Sequence, residues 1–197
     1  MIRKPTRLSR RGMLDVIAGA ATTTAAFADS VRPAEWAVPV PLNDVPNLHR
    51  MTSLLYRSAQ PTALGFRNLA DFGIKTVIST RQTVDDTGRA QGTGLFIHRI
   101  PMKARDVGEQ QGEKIVRVLR LILAAQADGP VLIHCHHGAD RTGAIAAVYR
   151  MVVQEWSNDA ALDELLNGDY GFHTIWQNIP RYVAGVDVED LRRRIAA

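Results

Sequence analysis

A short apolar run that leads directly into a polar, glycine-containing turn constrains the fold of this chain more than any other feature. Residues 131–133 are Val-Leu-Ile, and residues 134–143 read His-Cys-His-His-Gly-Ala-Asp-Arg-Thr-Gly. The apolar run predicts a short buried strand, and the residues after Arg141 predict a helix. A strand that turns at once into a helix is typical of a parallel sheet, which binds ligands beyond the carboxyl ends of its strands.

The rest of the chain repeats this alternation of strands and helices. Strands are predicted at 54–57, 75–79 and 95–100, and helices at 61–72, 109–127, from 157 or 158 to 167, and 191–195. Residues expected to face the core are Leu64, Leu69 and Phe72 in the first helix, Ile115, Val118, Leu119 and Ile122 in the second, and Ile145, Val148, Tyr149, Val152 and Trp156 after Arg141. The predicted fold is α/β, a small, mainly parallel central sheet flanked by helices. We assign it to one domain, residues 50–197, after an extended approach at 29–49 that contains four prolines.

Composition excludes several classes of protein. Five of the 24 basic residues lie in the first eleven, and from Asp29 onward basic and acidic residues balance, so we expect no nucleic-acid partner. No apolar run reaches 18 residues, so no membrane-spanning helix is expected. A single cysteine, Cys135, excludes an internal disulfide.

Residues 1–28 carry the three parts of an export signal. Ser9-Arg10-Arg11-Gly12-Met13-Leu14-Asp15 is followed by an alanine-rich stretch and by Ala26-Phe27-Ala28. The paired arginines resemble the bacterial twin-arginine signal, which implies cleavage before Asp29 and a periplasmic or secreted protein. A basic tail, or a true start at Met13, would leave the protein in the cytoplasm.

The turn after the predicted strand has the composition of an anion site. Backbone amides between Cys135 and Arg141, together with the start of the next helix, can converge on a tetrahedral oxyanion. Gly138 permits the required backbone conformation, and the planar fork of Arg141 can hold two phosphate oxygens. The same positive surroundings favour the nucleophilic thiolate form of Cys135.

The pattern His-Cys-x5-Arg-Thr-Gly resembles the signature of cysteine-dependent protein tyrosine and dual-specificity phosphatases, and the full run is similar to that of small bacterial dual-specificity-like members. Tyr-Arg-Ser-Ala-Gln-Pro at 56–61 and Gly-Ile-Lys-Thr-Val-Ile at 73–78 also resemble segments of that group, so the likeness covers about residues 50–180. It implies hydrolysis of phosphomonoesters through a phosphocysteine, with neither metal nor cofactor. We expect a monomer that acts on phosphotyrosine or mixed phosphoprotein substrates.

The resemblance also implies roles for individual residues. Cys135 is the nucleophile, Thr142 stabilises the departing thiolate, and His134 orients the loop. Asp106, on a separate loop, is the general acid, with Asp85 and Asp86 as the alternatives. The phosphate is held by residues 136–141, namely His136, His137, Gly138, Ala139, Asp140 and Arg141.

Three residues near the site carry open interpretations. Arg57 is expected to be a buried support for the loop, with substrate contact as the alternative. Arg105 is expected on the rim. Asp140 would brace Arg105 or another cation, or cap the helix.

Other functions remain open on the sequence alone. A phosphoinositide or inositol-phosphate substrate is an alternative within the same class of enzyme, and a phosphate-binding module without turnover or a rhodanese-like sulfurtransferase is an alternative outside it. A metal site built from His134 to His137 is not expected, because consecutive side chains diverge and the sequence shows no second cluster of ligands.

Overall fold

The computed structural model describes Met1 and residues 32–197, so the signal predicted at 1–28 lies almost wholly outside the described residues. The strands are β1 (Val38–Pro39), β2 (His49–Arg50), β3 (Leu55–Ser58), β4 (Thr76–Ser79), β5 (Phe96–Arg99) and β6 (Val131–His134). The helices are α1 (Ala63–Phe72), α2 (Gly112–Ala125), α3 (Asp140–Val153), α4 (Asn158–Asn167), α5 (Asn178–Gly185) and α6 (Val188–Ala196). None of the described helices has the length and hydropathy needed to cross a bilayer.

The six strands form one mixed sheet in the order β1-β2-β3-β6-β4-β5. Pairing is parallel from β3 through β6 and β4 to β5, but β1–β2 and β2–β3 pair antiparallel. The prediction of a mainly parallel sheet is therefore wrong, because the segment expected to be an extended approach supplies β1 and part of β2. Pro39 is compatible with this role because β1 is an edge strand.

Side chains of the parallel strands alternate between two apolar clusters, one on each face of the sheet. In β6, Val131 and Ile133 join the cluster formed with α2 to α6, whereas Leu132 joins the cluster formed with α1. The same alternation places Ile78 of β4 on the first face and Val77 on the second. Helices thus cover both faces of the sheet, as its buried parallel strands require.

Helix α1 presents a different stripe to the core from the one predicted. Phe66 and Leu69 are fully buried, whereas Leu64 and Phe72 are 49% and 42% exposed. Phe66 and Leu69, three residues apart, share a helical face that Leu64 does not share. The expectation that Leu64 and Phe72 face inward is therefore wrong.

Helix α3 is buried almost all round, and it ends before Trp156. Residues 142–151 are all buried. Trp156 lies beyond the helix, half-buried, with the Arg150 guanidinium 4.3 Å from its ring centroid. Its predicted place on the α3 stripe is wrong because the helix stops at Val153.

Candidate active site

The loop between β6 and α3, residues 135–139 (the phosphate loop), begins at the carboxyl end of the sheet. Parallel pairing sets His134 of β6 level with Ser58 of β3 and Ser79 of β4. Cys135 is the next residue and is fully buried. The segments that follow these three strands therefore meet around the cysteine.

Contacts from the end of β3 hold the phosphate loop in place. Gly138 adopts φ of +75°, and a Cβ there would lie 2.6 Å from backbone atoms of Ser58 and Ala59. Its carbonyl accepts a hydrogen bond of 2.7 Å from Nη2 of Arg57, which is buried. The backbone N–H of Gln60 donates to the carbonyl of His136 at 3.0 Å. Glycine is required at 138 because both the conformation and the space exclude a side chain.

His134 lies fully buried beneath the loop, between the backbone of Cys135 and a carboxylate. Its Nδ1 is 3.1 Å from the Cys135 carbonyl oxygen, and its Nε2 is 3.1 Å from Oδ2 of Asp86. Burial raises the pKa of Asp86, but the contacts with His134, Ser79 and Gln60 outweigh it and hold that pKa below its ordinary value. Asp86, one of the alternative general acids, is 1% exposed and supports the loop from below.

Arg141 and Thr142 enter the first turn of α3 with polar atoms that remain available. Nη1 of Arg141 donates to the carbonyls of Thr80 and Met102, at 3.4 and 3.3 Å, while its buried Nε has no partner among the described residues. The buried hydroxyl of Thr142 likewise bonds neither Cys135 nor any other described residue. A free Nε suits an arginine that receives an oxyanion.

A second guanidinium, which the sequence analysis did not single out, lies at the rim. Arg81 follows β4, and its Nη1 contacts Nδ1 of the exposed His136. Burial and the charges of Arg81, His137 and Arg141 lower the pKa of His136. Burial and Arg141 lower the pKa of Arg81, with Asp86 and Cys135 opposing them. No motif marks Arg81, and only the pairing of β4 with β6 brings it to the loop.

Asp140 contacts a histidine from the loop after α4. One carboxylate oxygen accepts the backbone N–H of His173 at 3.0 Å, and both oxygens lie 3.0 Å from Nδ1 of its ring. The ring of His173 lies 4.7 Å from that of His137. The sequence left open what Asp140 contacts, and the structure pairs it with His173. Nothing in the sequence around His173 indicated that it would lie beside Asp140.

Asp106 and Arg105 lie in a short 3-10 turn, Ala104–Asp106, after β5. Nε of Arg105 is 3.5 Å from Oδ1 of Asp106. Asn178 Nδ2 anchors the turn through the carbonyls of Ala104 and Val107, at 2.9 and 2.8 Å. Among the described residues, Asp106 makes neither a hydrogen bond nor an ion pair with the phosphate loop.

A chain of buried contacts links the phosphate loop to α4. The Arg57 guanidinium lies 3.6 Å from the centroid of the Tyr170 ring. The Tyr170 hydroxyl donates to Oε1 of Glu164 at 2.9 Å. Burial is the main cause that raises the pKa of Tyr170 to about 12. Glu164 in turn pairs with Arg150, at 2.7 and 2.8 Å. Sequence reasoning identified only Arg57 of these four residues as a support.

A buried cysteine directly after a parallel strand, followed by a tight turn and an arginine in the first turn of a helix, defines the site of a cysteine-dependent phosphatase. A family model described as the DSP-PTPase phosphatase of polymorphic toxin systems matches residues 52–155. The chain belongs to this dual-specificity phosphatase family, which confirms the resemblance and the class of enzyme.

Relatives support the same assignment over most of the chain. Dual specificity protein phosphatase TpbA from Pseudomonas aeruginosa is 37% identical over 94% of this chain and 78% of its own length. The crystal structure of a Cys-to-Ser variant of TpbA in complex with phosphotyrosine is 38% identical, with a TM-score of 0.74 over 84% of this chain and 98% of that one. The catalytic core of the PP-IP phosphatase Siw14 from S. cerevisiae, at 19% identity, shares the fold with a TM-score of 0.66 over 79% and 94%.

Proposed function

We propose that this enzyme hydrolyses phosphotyrosine and other phosphoprotein monoesters through a phosphocysteine intermediate. The observation that carries the proposal is the geometry around Cys135, a buried sulfur at the start of the phosphate loop, with Arg141 beyond the loop, whose Nε has no partner among the described residues. The TpbA relative binds phosphotyrosine in its crystal structure, which favours the same substrate here. The Siw14 core shares the fold, and inositol phosphates are therefore the second candidate substrate.

The proposed reaction has two displacements at phosphorus. The Cys135 sulfur attacks, the bond from phosphorus to the ester oxygen breaks, and Asp106 gives its proton to that oxygen. Water then attacks the phosphocysteine, Asp106 takes a proton from it, and the S–P bond breaks to release phosphate. Loop amides and Arg141 neutralise the developing charge, so no step requires a metal. The Thr142 hydroxyl, which has no other partner among the described residues, would donate to the departing thiolate.

A substrate panel tests the reaction and ranks the substrates. Phosphotyrosine peptides, phosphoserine peptides, phosphoinositides and soluble inositol phosphates are each offered with a chelator present, and phosphate release is measured. We expect turnover of phosphotyrosine peptides that Cys135→Ser abolishes. Faster release from inositol phosphates would favour the second candidate, and binding of phosphate without release by the wild-type chain would contradict the proposed catalysis.

The role of Asp106 predicts a dependence on the leaving group. Asp106→Asn should lower kcat by about 10²–10⁴-fold for an alkyl phosphate, whose oxygen needs the proton. The loss should be smaller for an activated aryl phosphate. Asp71→Asn is the matched control, because it makes the same change in an exposed carboxylate on α1 that is not a candidate for the acid. If Asp106→Asn keeps full activity on the alkyl phosphate, another group is the acid.

We further propose that residues 1–28 export the folded enzyme by the twin-arginine route, on the strength of Arg10-Arg11 and Ala26-Phe27-Ala28. Replacing both arginines by lysine should leave uncleaved protein in the cytoplasm of the bacterial host. The parent chain should appear outside the cytoplasm and begin at Asp29, as N-terminal sequencing can check. Cleavage and export that survive the double replacement would contradict this route.

A further inference from the structure

A cluster of metal-ligating side chains lies beside the phosphate loop, and one of its members has no part in the proposed hydrolysis. His137, Asp140 and His173 each offer a ligand atom, and these three atoms lie within 4.8 Å of one another. Asp140 is buried, whereas His137 and His173 are exposed. The sequence showed no such cluster because His173 arrives from the loop after α4.

The spacing of these atoms is close to that of a tetrahedral metal site. Zn²⁺ binds nitrogen and oxygen at about 2.0–2.2 Å, which places neighbouring ligand atoms of a tetrahedral site roughly 3.3–3.6 Å apart. Both oxygens of Asp140 already lie 3.0 Å from Nδ1 of His173. The three ligand atoms lie within 4.8 Å of one another, and rotation of the exposed His137 side chain would bring its nitrogen closer to the other two.

The chemistry of the three ligands selects the metal. Two imidazoles and one carboxylate suit Zn²⁺ and similar borderline ions, whereas Mg²⁺ and Ca²⁺ prefer oxygen ligands. The carboxylate of Asp140 attracts a cation, whereas the positive start of α3 and the neighbouring Arg141 repel it. We therefore expect moderate affinity for the metal.

We propose that His137, Asp140 and His173 form a site for one divalent transition-metal ion at the rim of the phosphate loop. The site shares His137 and Asp140 with the residues expected to hold the phosphate, whereas the phosphocysteine chemistry itself uses no metal. Its occupancy is measured by binding alone and so does not depend on the proposed substrate.

The test uses an untagged chain carrying Cys135→Ser, so that no thiolate competes for the metal. Titration with Co²⁺ should produce the visible absorption of a tetrahedral site, and calorimetry with Zn²⁺ should give one ion per chain. In this background His173→Gln and His137→Gln should each weaken binding at least about tenfold, because each removes a ligand. His98→Gln, at an exposed histidine on β5, is the matched control and should leave binding unchanged.

Three results would overturn the proposal. Saturable binding of Zn²⁺ or Co²⁺ could be absent at pH 7. Binding could survive both His137→Gln and His173→Gln unchanged. Finally, the wild-type chain could bind the metal while the Cys135→Ser chain does not, which would show that the sulfur is the ligand.

Discussion

The backbone of Gly138 passes within contact distance of the last residues of β3, where a Cβ would meet three backbone atoms at 2.6 Å. Neither the end of β3 nor the phosphate loop can move easily, because Ser58 is paired with His134 and the Gly138 carbonyl accepts a hydrogen bond from Arg57. The anion-binding shape of the loop therefore depends on a missing side chain as much as on those present.

Gly138→Ala should remove phosphatase activity and destabilise the protein. A non-glycine residue at positive φ costs about 1–3 kcal/mol, and overpacking against backbone costs about 1–3 kcal/mol more. Urea unfolding and hydrolysis of an aryl phosphate measure both effects. Gly92→Ala is the control, because Gly92 has φ of +78° with open space around it and so isolates the conformational cost. Normal activity in Gly138→Ala would show that the loop shape does not depend on this position.

Asp86 should affect stability in a way that depends on pH. Because its folded pKa is held below the ordinary value of 3.8, the ionised carboxylate stabilises the fold above that pH, and the contribution is lost as the pH falls through the folded pKa. Asp86→Asn should lower the free energy of unfolding at pH 7 by about 1.5–3 kcal/mol, because it weakens a buried contact to an ionised group.

Urea unfolding of Asp86→Asn and wild type across acid and neutral pH checks this expectation. The two free energies should converge in acid, since the wild type then loses the ionised carboxylate as well. Asp71→Asn, at an exposed position of α1, should follow the wild type at every pH. A constant gap between Asp86→Asn and wild type down to the lowest pH would contradict the assigned pKa shift.

Secondary-structure elements differ in how well they can be predicted from the local sequence. The strand at 131–134 and helices α3 and α4 were predictable, because apolar runs and helical spacing are local signals. Strands β1 and β2 were not, because they have two residues each and depend on pairing with β3. No element was predicted at 178–185, yet α5 forms there. The helix tolerates Pro180 because this residue falls in the first turn, where a missing N–H costs little.

Helices α3 and α4 are joined by the buried pair of Arg150 and Glu164. Glu164→Ala should lower the free energy of unfolding by about 3–5 kcal/mol, because it leaves a buried guanidinium without its counter-charge. Chemical denaturation measures the change. Asp163→Ala alters an exposed neighbour on the same helix and should stay within about 0.5 kcal/mol of wild type. A loss in Glu164→Ala no larger than in Asp163→Ala would mean that the pair is dispensable.

Across the whole molecule, the sequence indicated the class of enzyme better than it indicated the residues that support the site. Cys135 and Arg141 belong to one short motif between a predicted strand and a predicted helix, so local sequence signals were enough to identify them. The contacts of His134 with Asp86 and of Asp140 with His173 join segments far apart in the chain, and their partners follow only from the folded topology. The sequence alone therefore could not predict the position of Asp86 beneath the loop or the contact of Tyr170 with Arg57.

The near-complete burial of α3 has a consequence for how this enzyme loses activity. The helix that carries Arg141 and Thr142 packs against β3, β6, α2, α4, α5 and α6, and its residues 142–151 are all buried. The backbone amides of its buried stretch beyond the first turn should exchange with solvent only through global opening of the protein. Heat inactivation should thus coincide with cooperative melting, so that residual turnover after a thermal challenge counts the surviving folded molecules.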